Sequence, residues 1–265
     1  MSASPLNAAP VPERYLGVWQ RTLLTTTAGV HDTRTQVFWL QTERLFADLR
    51  VPFPTPQSAA ELVAQGGFAG ITEVTLPSPG EEICQWHRAV DFQPPRPSAD
   101  IGFMQFTRPD CVLEDGLDGS YHEVWERLPE SVGRNWGTWL TAADGRQGCL
   151  LLAGDCFFFV SSRPAPLAAA HSLAELLERG ANAEQLFECE LSFGRHYGGS
   201  RPWQIDLSTF PSRIGQALLP ASIDPDQPAQ LTAASTLERL GDAPPIGGWR
   251  LREQPLFSPV QEHTP

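Results

Sequence analysis

A polar run at positions 84–95 carries the residue types that acid–base chemistry uses most often. It contains His87 and Asp91, and Asp100 follows shortly after it. On a strand, His87 and Asp91 share a face, but four residues of strand span about 13 Å, too far for a direct acid–base pair. Asp91 or Asp100 would therefore have to approach His87 through the fold. The alternative is an exposed, hydrogen-bonded histidine on a polar strand face.

A further candidate proton carrier is Glu123, in the stretch Tyr-x-Glu-x-Trp-x-Arg. Side chains alternate across a strand, so Glu123 points inward if Trp125 and Arg127 do. A buried carboxylate is costly unless it has a partner. Glu123 therefore needs either an ion pair with an inward arginine or a task such as proton transfer.

A tryptophan followed two residues later by an arginine occurs three times in this chain. The spacing puts indole and guanidinium on one face, where stacking is worth up to roughly 2 kcal/mol when shielded from water. One interpretation is that these pairs close a barrel as packing partners. The other is that they line a cavity and hold the anionic or polar head group of a ligand. The candidate ligand-binding residues are Trp19 and Arg21, Trp86 and Arg88, Trp125 and Arg127, and Tyr121.

The order of short motifs indicates an internal duplication. The pattern Tyr-x-x-Val-Trp-x-Arg starts at Tyr15 and again 106 positions later at Tyr121. A second pattern, Ser-x-x-Glu, starts at Ser58 and at Ser172, and each copy is typical of a capping box that opens a short helix ended by glycine. Because matching blocks in the same order are hard to obtain by chance, the sequence predicts two copies of one β-rich unit.

The predicted fold is mainly β, with two tandem lipocalin-like antiparallel β-barrel units that each contain a short helix. The 22 glycines and 25 prolines favour short strands and turns over long helices. We expect a disordered N-terminal segment at 1–12, a first unit at 13–112, a second unit at 119–255 and a C-terminal tail at 256–265. The segment 109–119, which has four acidic residues and two glycines, is interpreted as the linker. Strands are expected at 18–24 and 35–41 in the first unit, and a closing strand is expected at 248–252.

Composition and missing motifs exclude several classes of function. The formal net charge is −12, and all 19 basic residues are arginine. There is therefore no basic run for nucleic acid or an anionic membrane, and no ε-amine for Schiff-base chemistry. The Gly-x-Ser-x-Gly, Walker, dinucleotide-binding and His-Glu-x-x-His signatures are absent, so we expect neither a cofactor nor a metal.

The N-terminus and the cysteines indicate the cellular setting. Residues 1–12 have no apolar segment that would make a signal peptide or a membrane span. The five cysteines show no paired spacing. We therefore expect reduced thiols in a cytoplasmic protein.

The opening Gly17-Val18-Trp19, with Arg21 two residues on, resembles the Gly-x-Trp first strand of lipocalin-like (calycin) barrels. The duplicated layout is similar to the Hri-type family of two tandem lipocalin-like barrels. The resemblance covers most of residues 13–255 and departs from the pattern at Glu123, where the second unit would have the glycine. It implies a closed or nearly closed antiparallel barrel whose mouth or lumen could hold a small apolar molecule.

Three functions are compatible with this sequence. The first is binding of a small hydrophobic or amphipathic ligand in a lipocalin-like barrel cavity, with arginine at its polar end. The alternative is a cofactor-independent isomerase, dehydratase or cyclase that uses acid–base residues in a barrel cavity. Its catalytic candidates are Glu123, His87, Asp91 and Asp100. A third is an interaction module with filled barrels and no ligand. The sequence leaves the oligomeric state open.

Overall fold

A computed structural model describes residues 9–142 and 144–227 and the backbone of 249–251. As the sequence predicts, the chain is mainly β, because its apolar runs are short, alternating and bounded by turn residues. The strands are β1 (Gly17–Thr26), β2 (His31–Asp32), β3 (Gln36–Gln41), β4 (Leu45–Val51), β5 (Gly66–Ser78), β6 (Glu81–Asp91), β7 (Asp100–Arg108), β8 (Cys111–Gly116), β9 (Tyr121–Arg127), β10 (Asn135–Ala142), β11 (Gln147–Ala153), β12 (Cys156–Ser161), β13 (Glu190–Arg195), β14 (Gln204–Ser208) and β15 (Trp249–Leu251). The helices are α1 (Ala59–Leu62), α2 (Leu173–Glu178) and α3 (Ala183–Phe187).

Strands β1 and β3–β9 form a closed antiparallel barrel of eight strands. Each strand pairs with the next one along the chain, and β9 returns to pair with β1. The short strand β2 adds to the end of β1. Closure gives every barrel strand two hydrogen-bonded neighbours, so none of the eight is left as an open edge.

The strand that starts at Tyr121 closes this barrel and does not open a second unit. It is β9, and its register with β1 places Arg127 opposite Trp19 and Trp125 opposite Arg21. The segment 109–119 contains β8, which pairs with β7 and β9, instead of a linker. Its acidic composition is misleading because only Glu114 and Asp115 belong to β8, on opposite faces, whereas Asp110 and Asp118 lie in the turns on either side of it. The expected division into units at 13–112 and 119–255 is thus replaced by a barrel spanning β1 to β9.

The remaining strands form a separate antiparallel sheet. Its strand order is β14-β13-β12-β11-β10-β15. Among the described residues β14 and β15 are its edges, so an open sheet stands where the sequence predicts a second barrel. The closing strand expected at 248–252 is confirmed as β15, which pairs with β10.

The Ser-x-x-Glu motifs form the helix caps that the sequence predicts. The carboxylate of Glu61 accepts the backbone N–H of Ser58 at 3.0 Å before α1. Before α2, Oγ of Ser172 accepts the backbone N–H of Glu175 at 3.2 Å. Helix α1 connects β4 to β5, and α2 lies between β12 and β13. Each helix therefore follows a hairpin and begins at its predicted residue.

Among the residues that the structure describes, buried side chains form three clusters that stack in layers. The first fills the barrel lumen, and the second joins the outer face of the barrel to the separate sheet through residues such as Leu49, Phe158 and Leu191. The third covers the other face of the sheet. At Gly67 on β5, an added Cβ would lie 2.8 Å from Cδ2 of Leu191, so barrel and sheet approach closely here.

The ends of the chain are described only in part. Of the N-terminal segment predicted to be disordered, residues 1–8 lie outside the described residues, but Val11 is buried and its N–H donates to the carbonyl of Glu43 at 2.8 Å. The predicted tail at 256–265 also lies outside them. All five cysteines are unpaired and buried. Within the described ranges, no helix is long and apolar enough to cross a membrane.

Candidate functional site

Inward charges of the barrel gather around Arg21 on β1. Its Nη1 donates to Oε1 of Glu123 at 2.7 Å, and its Nη2 donates to Oδ2 of Asp32 at 2.8 Å. The side chains of Arg21 and Glu123 are only 4% and 5% exposed. Although burial opposes the shift, hydrogen bonds from Thr35 and Arg34 and the charge of Arg21 lower the pKa of Asp32 to about 2. Glu123 thus has the inward arginine partner that a buried carboxylate requires.

Glu114 on β8 carries a second buried carboxyl group. This residue lies directly opposite Glu123 in the β8–β9 register. Its Oε1 accepts the hydroxyl of Tyr121 at 2.7 Å, and its Oε2 accepts the indole N–H of Trp125 at 3.1 Å. Burial, followed by the charge of Glu123, raises the pKa of Glu114 well above its usual value. Two adjacent carboxyl groups, one of them driven toward its protonated form, are an arrangement that acid–base catalysts use.

Two glycines make room for these side chains inside the barrel. An added Cβ at Gly116 would lie 2.7 Å from Cε1 of Tyr121. At Gly102 it would lie 2.9 Å from Cγ of Glu114. Non-bonded carbon atoms do not approach so closely, so a larger residue at either position would displace Tyr121 or Glu114.

The polar cluster of β6 is organised by Arg88. Its Nη1 donates to Oδ2 of Asp91 at 2.9 Å, and its Nη2 donates to Oδ2 of Asp100 at 2.6 Å. Burial raises the pKa of Asp91, although Arg88 opposes this shift. The ring of His87 contacts Glu73 instead, with 2.9 Å between Nε2 and Oε2. The fold therefore does not bring His87 to either aspartate: its ring lies at the exposed Glu73, whereas both aspartates bond to Arg88.

The tryptophans of the three Trp-x-Arg pairs pack together in the lumen. Trp19 stacks on Trp39 with ring centroids 6.2 Å apart, and Trp39 makes edge contacts with Trp86 and Trp125 at 5.7 and 5.8 Å. The guanidinium of Arg127 lies 5.4 Å from the ring centroid of Trp19 on the neighbouring strand. This arrangement agrees with the packing interpretation, with stacking across strands instead of along one strand.

Little free space remains inside the barrel. A cavity of about 20 Å³ lies between the tryptophans and the carboxyl groups of Asp48, Asp100 and Glu114. A water molecule needs about 10–15 Å³ on this kind of measure. The lumen cavity therefore has room for about one water molecule and not for an apolar ligand.

A larger open groove lies beside the barrel, with a volume of about 710 Å³. It is lined by β6, the loop that follows β6, and the loop that follows β12. Trp86 and Asp100 border both this groove and the lumen cavity. Its charged side chains are Arg88, Arg96, Arg163, Asp91 and Asp100, and His87 also lines it. Arginine outnumbers carboxylate here, although the chain as a whole has a formal charge of −12.

Arg163 ties the loop after β12 to the barrel beneath this groove. Its Nε donates to the carbonyl of Leu186 and its Nη2 to the carbonyl of Phe92, both at 2.7 Å, while its Nη1 donates to the carbonyl of Asp91 at 3.1 Å. Burial lowers the pKa of Arg163. Because these three partners are neutral carbonyl groups, the positive charge of Arg163 has no carboxylate bonded to it among the described residues.

Sequence reasoning missed three residues of these sites. Glu114 could have been found, because the alternation of Val112, Glu114 and Gly116 puts it on one face of a strand with two small or apolar neighbours. Arg96 and Arg163 lie in loops, where no periodicity indicates which way a side chain points. Among the residues that the structure describes, no group of three or more His, Cys, Asp or Glu side chains is placed to hold a metal.

The structure defines a class of protein: a closed eight-stranded antiparallel β-barrel that carries a separate antiparallel sheet. No family model matches the chain, and no curated protein sequence matches it either. A solved structure does: the uncharacterised protein YLR301w of Saccharomyces cerevisiae, with a TM-score of 0.60 and 14% sequence identity. The match covers 89% of this chain and 98% of the yeast chain. At this identity the likeness is one of fold alone.

Proposed function

We propose that this protein binds a small amphipathic molecule in the groove beside the barrel. The observation that carries the proposal is the groove itself, about 710 Å³ in volume, in which three arginines face two aspartates. Ligand sites are commonly clefts of about 300–1,000 Å³ with apolar walls and a few placed polar groups. An excess of guanidinium in an acidic protein favours a ligand with an anionic head group.

The head group is assigned to Arg96 in this proposal. Arg96 is exposed, lines the groove and has no hydrogen bond or ion pair with any described residue. Arg88 is already held by Asp91 and Asp100, and Arg163 is held by three carbonyl groups. Arg96 is thus the arginine of the groove whose donors are available to a carboxylate or phosphate.

The apolar part of the ligand is assigned to the segment 164–167. Pro164, Pro166 and Leu167 line the groove. The same segment borders a second depression of about 320 Å³, which Leu176 and Leu186 also line. An aliphatic tail along this segment would cover apolar surface on both sides of it, at roughly 25 cal/mol for each Å² removed from water.

We propose that the barrel is lipocalin-like but that the ligand binds outside its lumen. Support for the lipocalin-like relationship comes from the sequential strand order, the closed eight-stranded barrel and Gly17-Val18-Trp19 at its first strand. Support for an internal duplication comes from a hairpin followed by helix and then strand, in β3-β4-α1-β5 and, with a second helix added, in β11-β12-α2-α3-β13. Five unpaired thiols support a reducing cytoplasmic setting.

A fluorescent fatty acid, 11-(dansylamino)undecanoic acid, tests this assignment against its methyl ester. Arg96→Gln is expected to weaken binding of the acid about tenfold, because a charge-assisted hydrogen bond is worth about 1.5 kcal/mol or more. Binding of the uncharged ester should be unaffected by the substitution. Fluorescence titration gives both affinities.

The matched control is Arg108→Gln, which removes an exposed arginine paired with Asp110 outside the groove. It should bind the acid as the wild type does. Equal affinities of the Arg96 and Arg108 variants for the acid would refute the assignment of the head group, and no binding of either probe by the wild type would refute the groove as an amphipathic site.

The second candidate function is acid–base catalysis in the lumen, which the adjacent carboxyl groups of Glu114 and Glu123 favour. Because the cavity there is only about 20 Å³, a substrate requires the barrel to open. The indole N–H of Trp125, bonded to Glu114, should then exchange with deuterium much faster than global unfolding allows. Exchange of this proton only at the rate of global unfolding, measured by NMR, would exclude a catalytic lumen.

A further inference from the structure

A separate pocket of about 440 Å³ lies on the sheet, away from the groove and the lumen. It is formed by the turn between β11 and β12, the residues after β13 and the segment 221–226. Its functional side chains are Arg134, Asp155, His196, Tyr197, Trp203 and Asp226. None of these residues lines the groove or the lumen cavity.

His196, which lines this pocket, has a hydrogen-bond acceptor without a partner among the described residues. The residue is 7% exposed, and its Nε2 lies 2.8 Å from the carbonyl of Gly154. A carbonyl only accepts, so Nε2 carries the proton and Nδ1 of the neutral ring is an acceptor. Burial lowers the pKa of His196, which keeps the ring neutral. Nδ1 is buried and has no hydrogen-bond partner among the described residues.

Arg134 adds an unused donor to the same pocket. Its Nη2 pairs with Oδ1 of Asp226, but its Nη1 is buried without a hydrogen-bond partner among the described residues. Most buried polar atoms in proteins are satisfied, and leaving one unpaired is unfavourable. Two unsatisfied atoms of opposite kind in one pocket therefore indicate a ligand that both donates and accepts.

Trp203 is held in a strained conformation at the wall of this pocket. Its φ of 58° lies in the left-handed region, which bulky residues rarely adopt. The indole N–H donates to the carbonyl of Ile223 at 3.1 Å, and the ring centroid lies 5.4 Å from that of His196. Strain of this kind is concentrated at binding sites, where surrounding contacts hold an unfavourable residue in place.

The charges around the pocket restrict the class of ligand. Asp155, Asp224 and Asp226 line it together with the single arginine, so an anion would be repelled. Hydroxyl groups both donate and accept, which matches Nδ1 of His196 and Nη1 of Arg134 without adding charge. Tyr197, which is 72% exposed, offers a ring face for stacking.

We propose that this pocket is a second binding site and that it takes a neutral polyhydroxylated ring, such as a sugar. The ring hydroxyls donate to His196 and Asp155 and accept from Arg134, and the apolar face of the ring packs on Tyr197. The site is independent of the amphipathic ligand in the groove.

Side-chain histidine NMR tests the proposal with glucose, galactose, mannose and myo-inositol as probes. At least one probe is expected to shift the Nδ1 resonance of His196 in a saturable way, because Nδ1 gains a donor. His196→Phe should abolish binding, whereas His171→Phe, which changes an exposed histidine outside the pocket, should not. Absence of a saturable shift with all four probes would overturn the proposal.

Tyr197→Ala covers the case in which His196→Phe does not fold, because Tyr197 is exposed and its removal leaves no buried gap. This variant should fold normally and bind the same probe several-fold more weakly. Glucose 6-phosphate should bind more weakly than glucose, since the aspartates repel its phosphate. Unchanged affinity in Tyr197→Ala, or tighter binding of the phosphate, would contradict the site as described.

Discussion

Arg21→Met is expected to lower the free energy of unfolding by about 3–5 kcal/mol. The substitution retains the aliphatic bulk of the side chain but leaves the carboxyl group of Glu123 buried without its arginine partner, directly opposite Glu114 in the β8–β9 register. It also frees Asp32 from its ion pair. Breaking one side of a buried pair is costly because the remaining charge stays desolvated. Urea denaturation of both proteins at neutral pH gives the difference.

Two further variants separate the charge effect from loss of packing. Arg108→Met breaks the exposed pair with Asp110, where water screens the charges, so it should lower the free energy of unfolding much less than Arg21→Met does. In the double variant Arg21→Met with Glu123→Gln, the uncompensated charge is gone, so much of the lost stability should return. A double variant no more stable than Arg21→Met alone would show that the loss is one of packing.

Above about pH 5, the free energy of unfolding of Glu114→Gln is expected to depend less on pH than that of the wild type. This pH is close to the ordinary glutamate pKa. The raised pKa of Glu114 means that the folded protein keeps a proton that the unfolded chain releases above a pKa of about 4.3. The free energy of unfolding of the wild type should therefore fall by about 1.4 kcal/mol for each pH unit between the unfolded and the folded pKa. The stabilising effect is complete below the unfolded pKa and is lost as the pH rises through the folded pKa.

The glutamine side chain of this variant is neutral at every pH, so the contribution of the carboxyl group is removed. Its amide oxygen can still accept from Trp125, and its amide nitrogen can donate to the hydroxyl oxygen of Tyr121. The control is Glu126→Gln on the exposed face of β9, which should follow the wild-type profile. The measurement is the unfolding free energy at a series of pH values from about 4 to about 9, which spans the ordinary glutamate pKa and the range above it. Parallel profiles for the wild type and Glu114→Gln would show that Glu114 is ionised in the folded protein.

The strands of the barrel could be predicted because their residues alternate. The sequence places a strand at 18–24 and another at 35–41, and the structure has β1 at Gly17–Thr26 and β3 at Gln36–Gln41. Caps and turn residues act over a few positions, which is why Ser58 and Ser172 also mark their helices correctly. These signals are local, so one sequence is enough to read them.

Strand pairing is not local, and here the sequence was misleading. The similarity of the motifs at Tyr15 and Tyr121 predicts a repeat, whereas in the fold the two strands are hydrogen-bonded neighbours. Antiparallel pairing reverses one motif against the other, so the tryptophan of each strand lies opposite the arginine of the other. Similarity between two motifs therefore does not indicate which strands pair.

For the candidate site, the sequence indicates which side chains share a strand face but not which side chains make contact. Alternation puts Glu123 and Trp125 on one face of a strand, and both side chains are buried in the structure. It could not indicate that Arg21 is the partner of Glu123, since the two are 102 positions apart. The groove also escapes prediction, because β6 and the two loops that line it meet only when the sheet packs on the barrel.

The pairing of β1 with β9 has a consequence for how the chain reaches its native state. Residues 19 and 127 must meet before the barrel is complete, so closure carries the entropy cost of a loop of more than a hundred residues. Until β9 is synthesised, β1 and β8 both present unpaired backbone groups that can join the strands of other chains. The first 120 residues therefore contain seven of the eight strands of the barrel and cannot close it. Nascent chains are at greatest risk of aggregation before β9 is synthesised. The risk ends when β9 pairs with both β1 and β8.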